Sequence, residues 1–250
     1  MDGLNFCVMS IFESEQFQKL RAGESTRIDD DAVCSTCGLV KPSYWLDSYE
    51  IAAKCKCAEK HQMAEERRYD LANLPRRNVA CTFENFKVPS GSAEALQTVK
   101  DFANGHPPHI LMLWGESGAG KTHLMEAAAS QLLDEGFAIR YEYSPDLLNR
   151  IKATFNNQES TEDVLHYYRD VPILFLDDVG TERSTDWTAE ALTSLVDERY
   201  RNQRRLMVNS NCSYSQLCDR GYTRLASRLF DTQTGAAKNV QVSGDFRRGL

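Results

Sequence analysis

The sequence lacks any long apolar run: nothing in its 250 residues approaches the roughly 18 apolar side chains a membrane-crossing helix needs. Its opening, MDGLNFCVMS, lacks the basic n-region and long apolar stretch of a secretory signal. Positive charge is not in excess either, since 29 Lys and Arg stand against 36 Asp and Glu, for a net charge of -7. The whole-chain field therefore repels phosphates, and any nucleic-acid contact has to come from a local patch. Internal repeats and low-complexity segments are missing too. What remains, 42% hydrophobic and 26% charged, is the composition of an ordinary soluble globular protein. The expectation is a cytoplasmic protein with no membrane partner, long enough for one sizeable domain plus a small one.

Eight cysteines in a cytosolic chain argue against a disulfide framework. Four cluster in two close pairs, Cys34 and Cys37 in CSTCG and Cys55 and Cys57 in CKC. Four thiolates are what a closed tetrahedral zinc site requires, and such a site is structural because no ligand position stays open. The second pair is tighter than the usual C-x-x-C, so His61 is an alternative fourth ligand. Unligated surface thiols are the bland alternative. Cys7, Cys81, Cys212 and Cys218 are scattered and read as small apolar residues.

Along the chain, SIFESEQFQKLRA places Ile11, Phe12, Phe17 and Leu20 roughly on one helical face. The cysteine module follows, and a charged, helix-prone connector closes at Pro75. From Cys81 onward apolar strands, expected at 109–114, 138–143, 172–176 and 205–209, alternate with helices. That alternation predicts an α/β domain with a central parallel sheet between helical layers. The expected division is an arm over 1–60, a helical linker over 61–80 and the α/β domain over 81–250.

Between the first strand and its helix, Gly115, Gly118, Gly120, Lys121 and Thr122 satisfy G-x-x-x-x-G-K-[ST]. The loop Gly115, Glu116, Ser117, Gly118, Ala119, Gly120, continuing into Lys121, Thr122 and His123, offers backbone N–H groups to phosphates at a helix N-terminus. Lys121 is expected to reach the β- and γ-phosphates of ATP, and Thr122 to ligate Mg²⁺. A second apolar strand ends in ILFLDDVG, the Walker B arrangement. Asp177 is expected in the magnesium shell, and Asp178 as the base that orients and deprotonates water. Strand FAIRYEY lies between the two motifs in sequence, so one strand is expected between them in the sheet, which points to hydrolytic motors and away from nucleoside kinases. After Walker B comes RLMVNSN, where Asn209 or Asn211 can present an amide to the γ-phosphate and water; Asn211 is preferred.

The ordered set CTFENF, WGESGAGKTHL, LFLDDVGTERSTDW, VNSN, TRLASRL and GDFR resembles the DnaC/DnaI group of AAA+ helicase loaders, with IstB-type transposition ATPases close by. The resemblance covers about 80 to 250. It implies a three-layer AAA+ P-loop domain, self-association, and an ATPase that is weak and assembly-dependent, with sites shared between neighbouring subunits. By that resemblance Arg228, one turn from Arg224, is the arginine finger given to the neighbour's ATP, and Arg247, rather than Arg248, is a second sensor. A basic helix face paired to local acids is the bland reading of that arginine pair. The resemblance also puts Lys152 and Phe155 in a helical element that touches single-stranded DNA, although Phe155 would look the same in a core. Phe83 and Phe86 are expected near the adenine edge. The zinc arm is expected to grip a hexameric replicative helicase. A transposition helper acting on duplex DNA is the alternative, and a DnaA-like initiator is disfavoured because no separate duplex-binding domain follows.

Overall fold

The computed structural model describes residues 57–75, 80–89, 91–155, 160–182 and 185–244. The chain divides into two units, Met1–Arg67 and Arg68–Leu250. Residues 1–56, with Cys34, Cys37, Cys55 and the amphipathic segment, lie outside the described residues, as do Arg247 and Arg248. Cys57 opens helix α1 (Cys57–Ala72), but its side chain and that of His61 are likewise outside.

In the second unit, strands β1 (Ile110–Trp114), β2 (Ile139–Tyr143), β3 (Ile173–Asp177), β4 (Arg205–Ser210) and β5 (Ala237–Gln241) form one sheet. Its order is β2-β3-β4-β1-β5, with every neighbouring pair parallel. Parallel strands joined by crossover helices are covered on both faces, so they read as unbroken apolar runs. Alternation along β1 shows the two faces directly. Leu111 and Leu113 enter a core with α2 (Ala93–Ala103) and α3 (Lys121–Asp134). Ile110 and Met112 enter the opposite core, built with α4 (Ser144–Thr154), α5 (Thr161–Asp170), α6 (Asp186–Arg201), α7 (Tyr214–Asp219) and α8 (Thr223–Leu229). Each fully buried Leu or Ile contributes about 1.5–3 kcal/mol, so the two cores together drive the three-layer arrangement. Among the described residues, no helix is long and apolar enough to cross a membrane.

Two details differ from the sequence reading. One strand does separate the P-loop strand from the Walker B strand, but it is β4; β2, which carries FAIRYEY, lies at the sheet edge. Sequence order does not encode sheet order, because parallel neighbours are joined by crossovers that can pass over other strands. The fifth strand was not expected. Its AKNVQ buries only Ala237 and Val240, the signature of an edge strand with little apolar pattern.

At the end of the sheet where the strands begin, α6 supplies Arg199, which is fully buried. Its guanidinium donates to the carbonyls of Tyr168, Val171 and Arg205 at 2.8, 2.8 and 2.5 Å, and to those of Arg169 and Pro172 at 3.1 and 3.2 Å. Burial, with the nearby Arg204 charge, lowers its pKa to about 9. Carbonyl dipoles solvate the buried cation, and the Asp170 charge opposes the fall.

Candidate active site

The loop after β1 takes its shape from glycine. A Cβ on Gly115 would sit 2.1 Å from the carbonyl oxygen of Val242, so only glycine lets the loop pass beside the chain that follows β5. Gly120 caps α3 with φ of 98°, a left-handed conformation that glycine adopts without steric cost. The first N–H groups of α3 are thereby left facing the loop, as an anion site requires.

A cleft of about 430 Å³ opens over this loop, lined by Ser117, Gly118, Gly120, Lys121, Thr122 and His123 on one side. Asn85, Phe86 and Lys87 close a second side, and Asp178 and Asn211 a third. Gly115 and Ala119 are buried beneath the loop, and Glu116 is exposed on it. Lys121 is only 5% exposed. Its Nζ donates to the carbonyls of Gly115 and Glu116 and to Oδ1 of Asn211, each at 2.8 Å. Three neutral acceptors thus hold the cation where phosphate oxygens can exchange with them.

Asp177 ends β3 behind the loop and is buried. Thr122 Oγ1 donates to its Oδ1 at 3.2 Å, and Asn209 Nδ2 donates to the same oxygen at 2.5 Å. Tyr141 OH donates to Oδ2 at 2.5 Å. A hydroxyl and a carboxylate converging beside a phosphate loop are hard oxygen donors, which fits Mg²⁺. Among the described residues, no cluster of three or more His, Cys, Asp or Glu could hold a metal by protein groups alone.

Asp178 is next in the chain and carries φ of 63°, a left-handed backbone that aspartate tolerates better than most residues. Its N–H donates to Oδ1 of Asn209 at 2.8 Å, and its Oδ1 accepts from Nδ2 of Asn211 at 2.8 Å. Burial and the Asp177 charge push its carboxyl above the ordinary aspartate range; Lys121 pulls it back and Glu182 adds to the rise. The two asparagines thus separate in role. Asn211 faces the cleft and bridges Lys121 to Asp178, while Asn209 is fully buried and braces both aspartates from below.

The other residues singled out by sequence divide between the wall of this cleft and sites away from it. His123 Nε2 is 2.9 Å from the carbonyl oxygen of Thr82, and its ring packs 5.3 Å from Phe86, so it ties the CTFENF segment to the start of α3. Phe86 lines the cleft; Phe83 does not, and sits buried under Lys100. Lys152 and Phe155 are outside the cleft and converge on Trp187, with the ammonium 5.1 Å over its ring and Phe155 edge-on at 5.5 Å. Phe155 is 58% exposed, so it does not belong to a core. Arg224 and Arg228 of α8 both reach Asp197, at 2.6 and 2.8 Å, and do not line their own chain's cleft. Sequence reasoning missed Asn85, Lys87 and Tyr141. Asn85 lies inside the CTFENF segment but was not singled out there, whereas Lys87 and Tyr141 belong to no recognisable motif and only tertiary packing brings them to the site.

A family model described as IstB-like ATP binding protein matches residues 44–249. The chain is 26% identical over 220 residues to the replicative helicase loader DnaI of Bacillus subtilis (strain 168), covering 81% of this chain and 69% of that one. It is 25% identical over 159 residues to the replicative helicase loader DnaC of Escherichia coli (strain K12), covering 61% and 65%. Among solved structures, the AMPPCP-bound DnaA of Aquifex aeolicus matches with a TM-score of 0.58 at 24% identity. That likeness covers 67% of this chain and about half, 51%, of the DnaA chain, and it shows the fold alone: a central parallel sheet like that of the AAA+ domains.

Proposed function

The chain belongs to the family of IstB-like ATP binding proteins, and from that premise we propose that it is an ATP-dependent loader of a hexameric replicative helicase onto single-stranded DNA. The observation that carries the ATPase reading is the convergence of Lys121, Thr122, Asp178 and Asn211 on one cleft, with Asp177 directly behind Thr122. The similarity to DnaI and DnaC, both named replicative helicase loaders, supports the cellular role.

In this reading the loop N–H groups and Lys121 bind the phosphates, Lys121 exchanging carbonyl partners for phosphate oxygens. Thr122 and Asp177 hold Mg²⁺, which when bound neutralises phosphate charge. Asp178 accepts a proton from the attacking water, from its place on the cleft wall beside Asn211. Asn211, fixed between Lys121 and Asp178, orients that water. Arg228 acts on the site of a neighbouring subunit, which makes hydrolysis weak until subunits assemble. Arg247 is the second sensor. Lys152 and Phe155, gathered on Trp187, contact single-stranded DNA by charge and stacking. The helicase is gripped by residues 1–60, folded around zinc on Cys34, Cys37, Cys55 and Cys57, with 61–80 as linker and 81–250 as the motor.

One other reading, the transposition helper acting on duplex DNA that the resemblance to IstB-type ATPases implies, is compatible with the match to the IstB-like ATP binding family. The deciding experiment is co-purification with the replicative helicase of the same genome. Association at micromolar concentration that disappears on deleting residues 1–60 is expected. No association with the full chain, together with tight duplex binding and ATP-dependent filaments, would move the assignment to the transposition helper.

A further inference from the structure

The carboxylate of Asp177 is held by a residue on the neighbouring strand that no motif includes. Tyr141 sits on β2 opposite Phe175, two places before the Tyr143–Asp177 pair, so its side chain leans along the strand to reach Asp177. The phenol is 3% exposed and donates to Oδ2 at 2.5 Å. Its ring stacks on Phe175 at 6.1 Å and 18°, which leaves the hydroxyl little freedom to swing away. The backbone at the same residue is also tied, since Asn73 Nδ2 donates to the Tyr141 carbonyl at 2.9 Å.

The two oxygens of Asp177 therefore have different surroundings. Oδ2 is taken by the phenol, whereas Oδ1 is turned to Thr122 and Asn209. A carboxylate turns easily about its last torsion, and an outer partner is what fixes which oxygen a metal meets. We infer that Tyr141 is a positioning residue: it turns Asp177 so that Oδ1, beside the Thr122 hydroxyl, is the oxygen offered to magnesium. A phenylalanine would fill the same space against Phe175 but remove the donor on Oδ2, leaving the carboxylate anchored through Oδ1 alone. The inference rests on the reading of this cleft as a magnesium–ATP site.

The test is nucleotide binding by the full chain, using a fluorescent ATP analogue at fixed concentration with magnesium titrated in, and again in excess chelator. Losing a metal ligand's outer partner typically costs about 10- to 100-fold in metal affinity. For Tyr141→Phe the half-saturating magnesium concentration should rise by about tenfold, with metal-free nucleotide affinity unchanged. In an Asp177→Asn background the same substitution should add nothing. An unchanged magnesium midpoint overturns the inference, and so does an equal fall in metal-free and metal-dependent binding, which marks a packing role. Should Tyr141→Phe fail to fold, Phe175→Leu loosens the phenol while leaving it in place; it must move the magnesium midpoint in the same direction, or the inference falls. Failure of the wild-type chain to bind the analogue is a separate result, and it removes the ATP-site reading itself.

Discussion

Replacing Arg228 with alanine distinguishes two roles whose energies differ in scale. Within its own chain the side chain makes an ion pair from Nε to Asp197 at 2.8 Å and lies 4.9 Å over the Tyr200 ring. It is 37% exposed, so the pair is worth about 0–1 kcal/mol after screening and side-chain ordering. Asp197 keeps Arg224 at 2.6 Å, so no buried carboxylate is orphaned by the change. A local role therefore predicts a melting point lower by only about 2–4 °C and normal hydrolysis. A finger that reaches a neighbour's ATP predicts the same small stability change but a loss of about 10³-fold or more in hydrolysis, which corresponds to roughly 4 kcal/mol of transition-state stabilisation. Nucleotide affinity should stay near that of the wild type, since Arg228 does not line the cleft of its own chain. Thermal melting, analogue binding and steady-state ATPase rates on the same preparation separate the two roles. Mixing Arg228→Ala with Lys121→Ala then rebuilds one kind of seam, with an intact P-loop from the first variant and an intact finger from the second. Recovered hydrolysis is expected. Full activity of Arg228→Ala by itself refutes the finger and leaves a charged helix face paired to Asp197.

Four other outcomes are expected. Lys121→Ala should abolish measurable ATP binding in a calorimetric titration, because it deletes the cation held at the phosphate position. Asp178→Asn should bind ATP but not hydrolyse it, since an amide cannot accept the proton; normal turnover would place the base elsewhere. The Tyr168 phenol, buried and hydrogen-bonded to Glu142, has its pKa pushed from 10.0 to about 12. A raised folded pKa gives stability that is complete below pH 10 and lost as pH climbs through about 12, close to 3 kcal/mol as an upper bound. Tyr168→Phe should flatten that alkaline decline in urea unfolding measured at several pH values, and an unaltered slope would dismiss the buried Tyr168 phenol as its source. Elemental analysis of freshly purified protein should find one zinc per chain, and Cys34→Ser should remove it while the ATPase unit still melts cooperatively; absence of zinc in the wild type would end the metal-arm reading.

The legible parts of this protein are those written locally. Ile110–Leu113 and Ile173–Leu176 read as buried strands because both faces of a parallel sheet are covered, and the phosphate loop is legible because its glycines and lysine act within eight residues. What depends on packing between distant segments was not legible. The position of β4 between the two motif strands pairs segments far apart in sequence, and β5 carries too few apolar residues to stand out. Asn209 and Asn211 have the same parity on β4 and its extension, so sequence could offer both, and only depth in the fold divides their work. Phe83 and Phe86 are three residues apart and chemically identical, and both are buried in the same core, yet only Phe86 also lines the cleft. Tyr141 was invisible for a further reason: its partner is 36 residues away on another strand.

The buried guanidinium of Arg199 has a consequence at the opposite end of the sheet. It holds the first residue of β4 through the Arg205 carbonyl and the approach to β3 through Val171 and Pro172. From Arg205 to Asn211 the chain runs about 20 Å. Side chains alternate along that path, so a slip of one residue would swing both asparagines away from the aspartates and present Ser210 and Cys212 in their place. Arg199 thus works like a machinist's datum pin, fixing at one edge the point from which the far edge is measured. A lysine could not take over, because three donors cannot reach five carbonyls. The accuracy with which this protein aims its amides is decided where no nucleotide ever comes.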